Sequence, residues 1–468
     1  MKSAYQYRLY PDSQQKVQLN QWLRICQYWY NRMLGERFDW WEQNRCAVNA
    51  CPLICHLPAL KEKPNYYSQK KQLPDIKADL VLVRHSRELV DFTEPYSTIL
   101  QNVCKRVEKT FERFVRGDCN GKRSGRPRFK GAARYRTMLF DGADDAWLKF
   151  CTINGKRLFM TLPKVGLVQV RMHRPLPEGA NLKQVLVTKK ADGWYVSLVL
   201  SDETVPGSTP EVIIPTWENS LGLDAVLHED SYLATSEGEK LPSLKPLRRN
   251  EAKKAVLQTK KNSRKKGSRR RRKLAKREAR LGLRIARSRK DFQYKTAHKL
   301  KRTGKKVFFY EKLNLQGLSR RHAPKQDESG VYLPNGQAAK SGLNKSWHDA
   351  AFGQFFDILR LVAAKAGAVA MEQNPAYTSQ LLSYRDEFVL TDCSIREYWD
   401  EAEKLWVNRD INAAVNLKRV GLDLFPTLKR RRGNPVVVAS MTHSTSKEVL
   451  IALRGIRSPR CTASVSVG

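Results

Sequence analysis

The chain has 468 residues, 41% of them hydrophobic, which is long enough and apolar enough for about two or three cored domains. Its 86 Lys and Arg against 46 Asp and Glu leave a formal net charge of +40, an excess beyond what solubility needs, so a polyanionic partner is expected. No apolar run approaches the roughly 20 residues of a spanning helix, and residues 1–10 alternate instead of forming a signal-peptide core, so a membrane is the less expected partner and a cytoplasmic protein is expected.

Residues 4–10 alternate as a short strand that Pro11 ends. Asp12 or Ser13 can cap the helix that follows, in which Val17, Leu19, Trp22, Leu23, Ile25, Tyr28, Trp29 and Leu34 predict a mostly buried element. A loop over 46–75 carries Cys46, Cys51, Cys55 and His56, close enough to raise the question of a metal. They form no CxxC pair, and idle or buried thiols are the simpler reading. The nine cysteines, odd in number, argue for reduced thiols over a disulfide framework. Leu100, Val103, Val107, Phe111 and Phe114 predict a second helix over about 96–116 with a basic outer face.

The composition then changes to a Gly-rich basic loop at 117–135. There Lys122, Arg123, Arg126, Arg128 and Lys130 surround Pro127 and Phe129, a mixture suited to phosphate contact and base stacking. From about 136 to 202 the pattern is β, split by Gly, Pro and Asn turns, and a small antiparallel barrel or sandwich fits it. After a Pro-containing linker, NSLGLDAVLH predicts an apolar strand ending near Asp224, and DSYLATS a second strand. Residues 246–306 form an intensely basic helical stretch with the run Arg269, Arg270, Arg271 and Arg272. Leu274, Ala279, Leu281 and Ile285 within it suggest two packed helices. The buried strand VFFYEKL carries Glu311 and a polar loop covers 316–345. A helix with Phe352, Phe355, Phe356 and Leu359 on one face, a strand AVAMEQ and a helix in NRDINAAVNLKRVG complete the pattern. Beyond about 428 a mobile basic tail is expected.

Strand with Asp, strand, basic helices, strand with Glu, helix, strand, helix with Asp is an α/β order. It suits a ribonuclease H-like layout, where acids from strand ends and one helix meet. Two Mg²⁺ ions roughly 3.5–4 Å apart need such bridging hard-oxygen ligands for phosphodiester hydrolysis. Each acid also has an ordinary explanation. Asp410 could N-cap its helix, and Glu311 could pair with a nearby cation. Asp224, closing the apolar run LGL, would be costly if buried and unpaired.

At these residues the chain resembles the TnpB family of transposon-encoded RNA-guided nucleases and the related compact type V CRISPR effectors. The matching segments are the opening strand and helix, GRPRFK at 125–130, GLD at 222–224, FYEKLNLQGL at 309–318, AGAVAMEQNPAYTSQ at 366–380 and RDINAAVN at 409–416. The resemblance implies a multidomain α+β protein: a first wedge strand at 1–10, a helical recognition lobe at 11–125, a β-barrel wedge domain at 126–205 and a RuvC-like nuclease domain at 216–425. The last would contain the basic helical insertion 246–306 and a degenerate zinc-ribbon region at 377–408, followed by the tail 428–468. It further implies that Asp224, Glu311 and Asp410 are the catalytic, Mg²⁺- or Mn²⁺-binding acids, and that guide RNA and target double-stranded DNA are the partners. A short target-adjacent motif would be recognised, and Arg123, Arg126, Arg128, Lys130 and Arg269–Arg272 would contact nucleic acid. Two departures stand out. The first acid is followed by Ala225-Val226 in place of a Gly-containing turn. Of the ribbon thiols only Cys393 survives, so no zinc is expected there, and Phe388, Tyr398, Trp399, Leu405 and Trp406 are expected to hold that segment by packing. Two other classes compete: an RNA-guided DNA-binding protein with weak or no cleavage, which the missing thiols favour, and a nonenzymatic basic RNA-binding protein, which leaves the three acids unexplained.

Overall fold

A computed structural model describes the chain except for residues 1, 45–61, 85, 119–120, 132–133, 142–149, 154–156, 178–180, 202–212, 228–229, 390–394, 432–433, 441–442 and 455–468. It divides into two units, Met1–Thr204 and Val205–Gly468. The Cys46, Cys51, Cys55 and His56 group and Cys393 lie outside the described residues.

In the first unit the opening strand β1 (Lys2–Tyr10) leads into the 31-residue helix α1 (Ser13–Gln43). Asp12 caps α1: its carboxylate accepts from the Gln15 amide while the Gln15 side chain accepts from the Asp12 amide. Leu19, Trp22, Cys26, Trp29, Met33 and Phe38 recur at helical spacing and are buried. Val17, expected among them, faces solvent because it falls off that stripe. Helix α2 (Ser97–Val115) packs beside α1 through Leu100, Val103, Val107 and Phe111. Strands β2 (Thr137–Asp141), β3 (Phe150–Ile153), β4 (Arg157–Leu162), β5 (Gly166–Arg171), β6 (Asn181–Lys190) and β7 (Gly193–Ser201) complete a seven-stranded sheet in the order β2-β6-β7-β1-β5-β4-β3. The expected small barrel is thus an open half-barrel among the described residues, with β2 and β3 at its edges. Sequence alternation specifies strands and faces but not whether the two edge strands meet. The N-terminal strand is central, pairing antiparallel with β7 (Tyr7 opposite Val196) and with β5 (Leu9 opposite Val170). Tyr7 and Leu9, together with Trp194, Val196 and Leu198, point into one core shared with α1 and α2.

The second unit is built on a five-stranded mixed sheet. Strands β8 (Ser220–Ala225), β9 (Ser231–Thr235) and β10 (Lys240–Pro242) form an antiparallel meander. Two basic helices, α3 (Glu251–Asn262) and α4 (Arg269–Lys301), cross over to β11 (Val307–Glu311), which lies parallel to β8. Helices α5 (Gln337–Ala350) and α6 (Phe352–Lys365) lead to β12 (Val369–Gln373), parallel to β11, and the order is β10-β9-β8-β11-β12. Helix α5 falls where a polar loop was expected. Asp349 is its one buried residue, so no apolar period announced it. The left-handed Ala351 separates it from α6, whose Phe352, Phe355, Phe356 and Leu359 cover the sheet. The two-stranded hairpin of β13 (Glu397–Asp400) and β14 (Leu405–Asn408) runs straight into α7 (Arg409–Gly421). Past residue 428, in place of a mobile tail, the described residues form a second hairpin, β15 (Thr427–Arg431) with β16 (Asn434–Ala439), and a helix, α8 (His443–Arg454), that buries Val449 and Leu453. Among the described residues no helix is long and apolar enough to cross a membrane.

The segment where a zinc ribbon was expected to have degenerated is only partly held by packing. Phe388 lies edge-on to Tyr377, Tyr398 is half-buried and Leu405 is buried. Trp399 and Trp406, however, stand opposite each other on the outer face of their hairpin and are 43% and 39% exposed. Buried polar pairs do the remaining work. Arg419 donates to Asp386 at 2.6 Å, and Arg385 and the Tyr384 hydroxyl both donate to Asp400. Asn412 and Asn416 satisfy the backbone of Thr378, Leu381 and Ser383.

Candidate active site

Strand β8 carries Asp224 one residue past the buried Leu223, at the end of the sheet where β11 carries Glu311. The parallel register sets Leu223 against Tyr310, so the two acids that follow leave neighbouring strands side by side. Glu311 is positioned by a backbone donor: the amide of Ala225 gives its Oε1 a 3.0 Å hydrogen bond. That bond replaces the cation pairing that could otherwise have explained Glu311.

Helix α7 brings the third acid. Its cap is Asn408, whose side-chain oxygen accepts from the amides of Asp410 and Ile411, so Asp410 is not spent on capping. The helix lies against β8 because Gly222 lets it: a Cβ there would collide with the carbonyl oxygen of Ala414. This close approach draws the start of α7 towards the strand end bearing Asp224. Asp410 is 4% exposed. Its Oδ1 accepts from Arg396 Nη1 at 2.8 Å. Its Oδ2 faces Lys240 Nζ at 3.5 Å, near enough for charge attraction but without hydrogen-bond geometry, which leaves that buried oxygen with no donor among the described residues.

The electrostatics bind the three together. Burial, and then the charges of Glu311 and Asp410, hold the Asp224 carboxyl well above the usual carboxylate range, against the opposing pull of Arg409 and Arg396. Burial likewise pushes Glu311 up to about 7, with the Ala225 amide acting in the opposite direction. Asp224 therefore lies within the field of acids from two segments distant in sequence. The three acids do not form a closed ligand cage: among the described residues no group of three His, Cys, Asp or Glu side chains is placed to hold a metal ion. The donor set nonetheless fits a hard divalent cation. It offers carboxylate oxygens, two of the three carboxyl groups favour protonation because they are buried, and one buried oxygen lacks a donor among the described residues.

The expected nucleic-acid contacts fall in separate units. In the first, Arg123 and Arg128 are exposed, while Arg126 pairs with Glu42 and stacks over Phe38. Lys130 is tied by its backbone to Asn31 and Gln27 of α1, and Phe129 packs edge-on against Phe38, so this loop is laid along α1. In the second, Arg269, Arg270 and Arg272 are exposed at the start of α4. Arg271 instead donates to the carbonyls of Lys261 and Arg264, closing the turn from α3. The sequence reading missed Arg396, Lys240 and Arg409, single cations in strongly basic surroundings with nothing to mark them. It also missed the capping role of Asn408, which the Asn-x-Asp spacing at a helix start could have revealed.

Three family models match the chain: a helix-turn-helix domain over residues 1–46, a probable transposase over 215–322 and a Cas12f1-like TNB domain over 352–417. Within the first match the described residues form a strand and one continuous helix. A putative RNA-guided DNA endonuclease of Streptomyces pristinaespiralis is 26% identical over 90% of this chain and 90% of its own length. The putative RNA-guided DNA endonuclease InsQ of Escherichia coli K12 is 25% identical over 89% of this chain and 92% of its own length. Among solved structures, that of a Cas12f1–sgRNA–target DNA complex aligns with a TM-score of 0.48 at 11% identity, covering 86% of this chain and 82% of that one. The three models match in succession and the relatives match nearly end to end, so over most of its length the chain is similar to putative RNA-guided DNA endonucleases.

Proposed function

We propose that this protein is an RNA-guided DNA endonuclease that hydrolyses phosphodiester bonds at Asp224, Glu311 and Asp410. The observation that supports this most is the parallel register that sets Asp224 and Glu311 side by side at the ends of β8 and β11, with α7, which carries Asp410, packed closely against β8. The strand order β10-β9-β8-β11-β12, with its antiparallel meander and parallel extension, is what a ribonuclease H-like nuclease domain requires. The names of the relatives supply the guide RNA and the DNA substrate, and the net charge of +40 suits both polyanions.

Asp224, Glu311 and Asp410 would hold divalent ions, Mg²⁺ or Mn²⁺, whose chemistry is to acidify the attacking water and stabilise the leaving 3′ oxygen. The chain's own part is positional and electrostatic. Ala225 fixes the orientation of Glu311, and Asn408 fixes the start of α7 and with it Asp410. Arg396 and Lys240 balance the buried charge of Asp410 and have to yield as cations enter. That same engagement favours a second reading, a guided DNA-binding protein whose site stays closed to metal.

Sequencing the RNA that co-purifies with the protein, then replacing its guide segment, tests the proposal. Mg²⁺-dependent cutting should move to plasmid DNA matching the new segment. Cutting that ignores the guide, or a protein that retains no RNA, would remove it. Guided binding without cutting would select the second reading.

A further inference from the structure

The outer face of the half-barrel holds an arrangement that sheet stability alone does not explain. Arg8 on β1 and Arg171 on β5 are directly opposed across two paired strands, a placement of like charges that costs stability. Arg8 has a counterion in Asp192, at 3.2 Å, and lies over the Tyr195 ring. Arg171 is exposed, and among the described residues no carboxylate lies within ion-pair distance of it, whereas the Arg174 guanidinium lies over the Tyr5 ring at 4.2 Å. Beside this pair opens a cleft of about 660 Å³ lined by Tyr10, Gln169, Arg171, His173 and Arg174. Tyr10 is 45% exposed at its rim, two register positions from the opposed arginines and paired with Gln169. His173 is exposed against Tyr7. A planar exposed ring, an amide side chain and a cation without a carboxylate around one cleft are the groups that receive a nucleotide: base on the ring, edge on the amide, phosphate at the cation.

We propose that this cleft binds one unpaired nucleotide of a single strand, with its base against Tyr10 and its phosphate at Arg171. The proposal rests on the nuclease reading only for the source of that strand, the guide RNA or the displaced DNA. It places the contact on the sheet face, apart from the 117–135 loop laid along α1.

The test uses the full chain, stripped of co-purifying RNA, and two fluorescent ten-nucleotide strands of the same sequence, one RNA and one DNA. Tyr10→Ala should weaken binding by about tenfold without changing the salt slope, because stacking is uncharged, and Tyr10→Phe should restore it. Arg171→Gln should flatten the slope by about 0.7, one phosphate contact on a single strand. Loss confined to the RNA strand assigns the guide, and loss confined to the DNA strand assigns the displaced strand. Unchanged affinity in Tyr10→Ala and Arg171→Gln overturns the proposal, as does a loss that Tyr10→Phe fails to restore. Failure of guided cutting with these binding effects intact would remove the nuclease reading and leave the cleft standing. Guided cutting with binding indifferent to both residues would do the reverse.

Discussion

Replacing Glu311 by Gln should make the metal-free protein more stable while abolishing its proposed activity. The amide keeps the shape and can still accept from Ala225, so the change removes charge and little else. Burial raises the Glu311 carboxyl from an ordinary 4.5 to about 7. At about 1.36 kcal/mol per unit this sets an upper bound near 3 kcal/mol on the cost of ionising it in the folded state. Glu311 is half-buried, not sealed, and solvent screening reduces the figure to ~1–2 kcal/mol. The sign follows from linkage. The folded state holds the proton more tightly, so the penalty is absent below about pH 4.5, grows as pH rises, and is complete above about pH 7. For a unit of this size the gain at pH 8 corresponds to a rise of ~2–8 °C in its melting temperature. Calorimetry with chelator present, at pH 8 and at pH 4.5, reads it: a clear rise at the higher pH and almost none at the lower. A variant less stable than the parent at pH 8, or stabilised equally at both, would refute the electrostatic account of the site.

Other expectations concern the neighbours of that site and the basic surfaces. Arg396→Ala should release Asp410 and tighten Mn²⁺ binding several-fold by titration calorimetry, since a charge-assisted bond worth about 1.5–3 kcal/mol no longer competes with the metal. Unchanged or weaker binding would show that Arg396 does not obstruct the ions. Purified protein should hold well under one zinc per chain, and chelation should leave its melting unchanged. Asp386→Asn, by stranding the buried Arg419, should cost about 3–5 kcal/mol of stability in the second unit. Neutralising Arg269, Arg270 and Arg272 together should flatten the salt dependence of duplex binding by about two to three units. Arg271→Ala should instead leave the slope nearly intact and loosen the turn between α3 and α4, since its guanidinium serves backbone carbonyls.

Much of this architecture could be read from the sequence, for reasons visible in particular elements. Alternation in β1 and β7 and the aromatic stripes of α1 and α6 reflect burial on one face, which composition records directly. The places of Asp224, Glu311 and Asp410 near the ends of their elements were legible because each of those elements has a strong apolar pattern. Helix α5 was hidden, because a helix that buries only Asp349 has no apolar period to detect. Trp399 and Trp406 pack against each other on an exposed face, and this was not legible because residue type does not reveal which face of a two-stranded hairpin is covered. The hold of Arg396 and Lys240 on Asp410 depends on side chains from two other segments, and no local pattern encodes such a meeting.

The central claim, that Asp224, Glu311 and Asp410 form one site for guided hydrolysis, is tested most directly by the Asp224→Ala ribonucleoprotein. Cutting and binding of a matched DNA duplex should be measured side by side with Mg²⁺ present. Loss of cutting with guide-dependent binding nearly unchanged is the expected result, because the substitution removes a metal ligand and no phosphate contact. Cutting at the parental rate would contradict the claim outright.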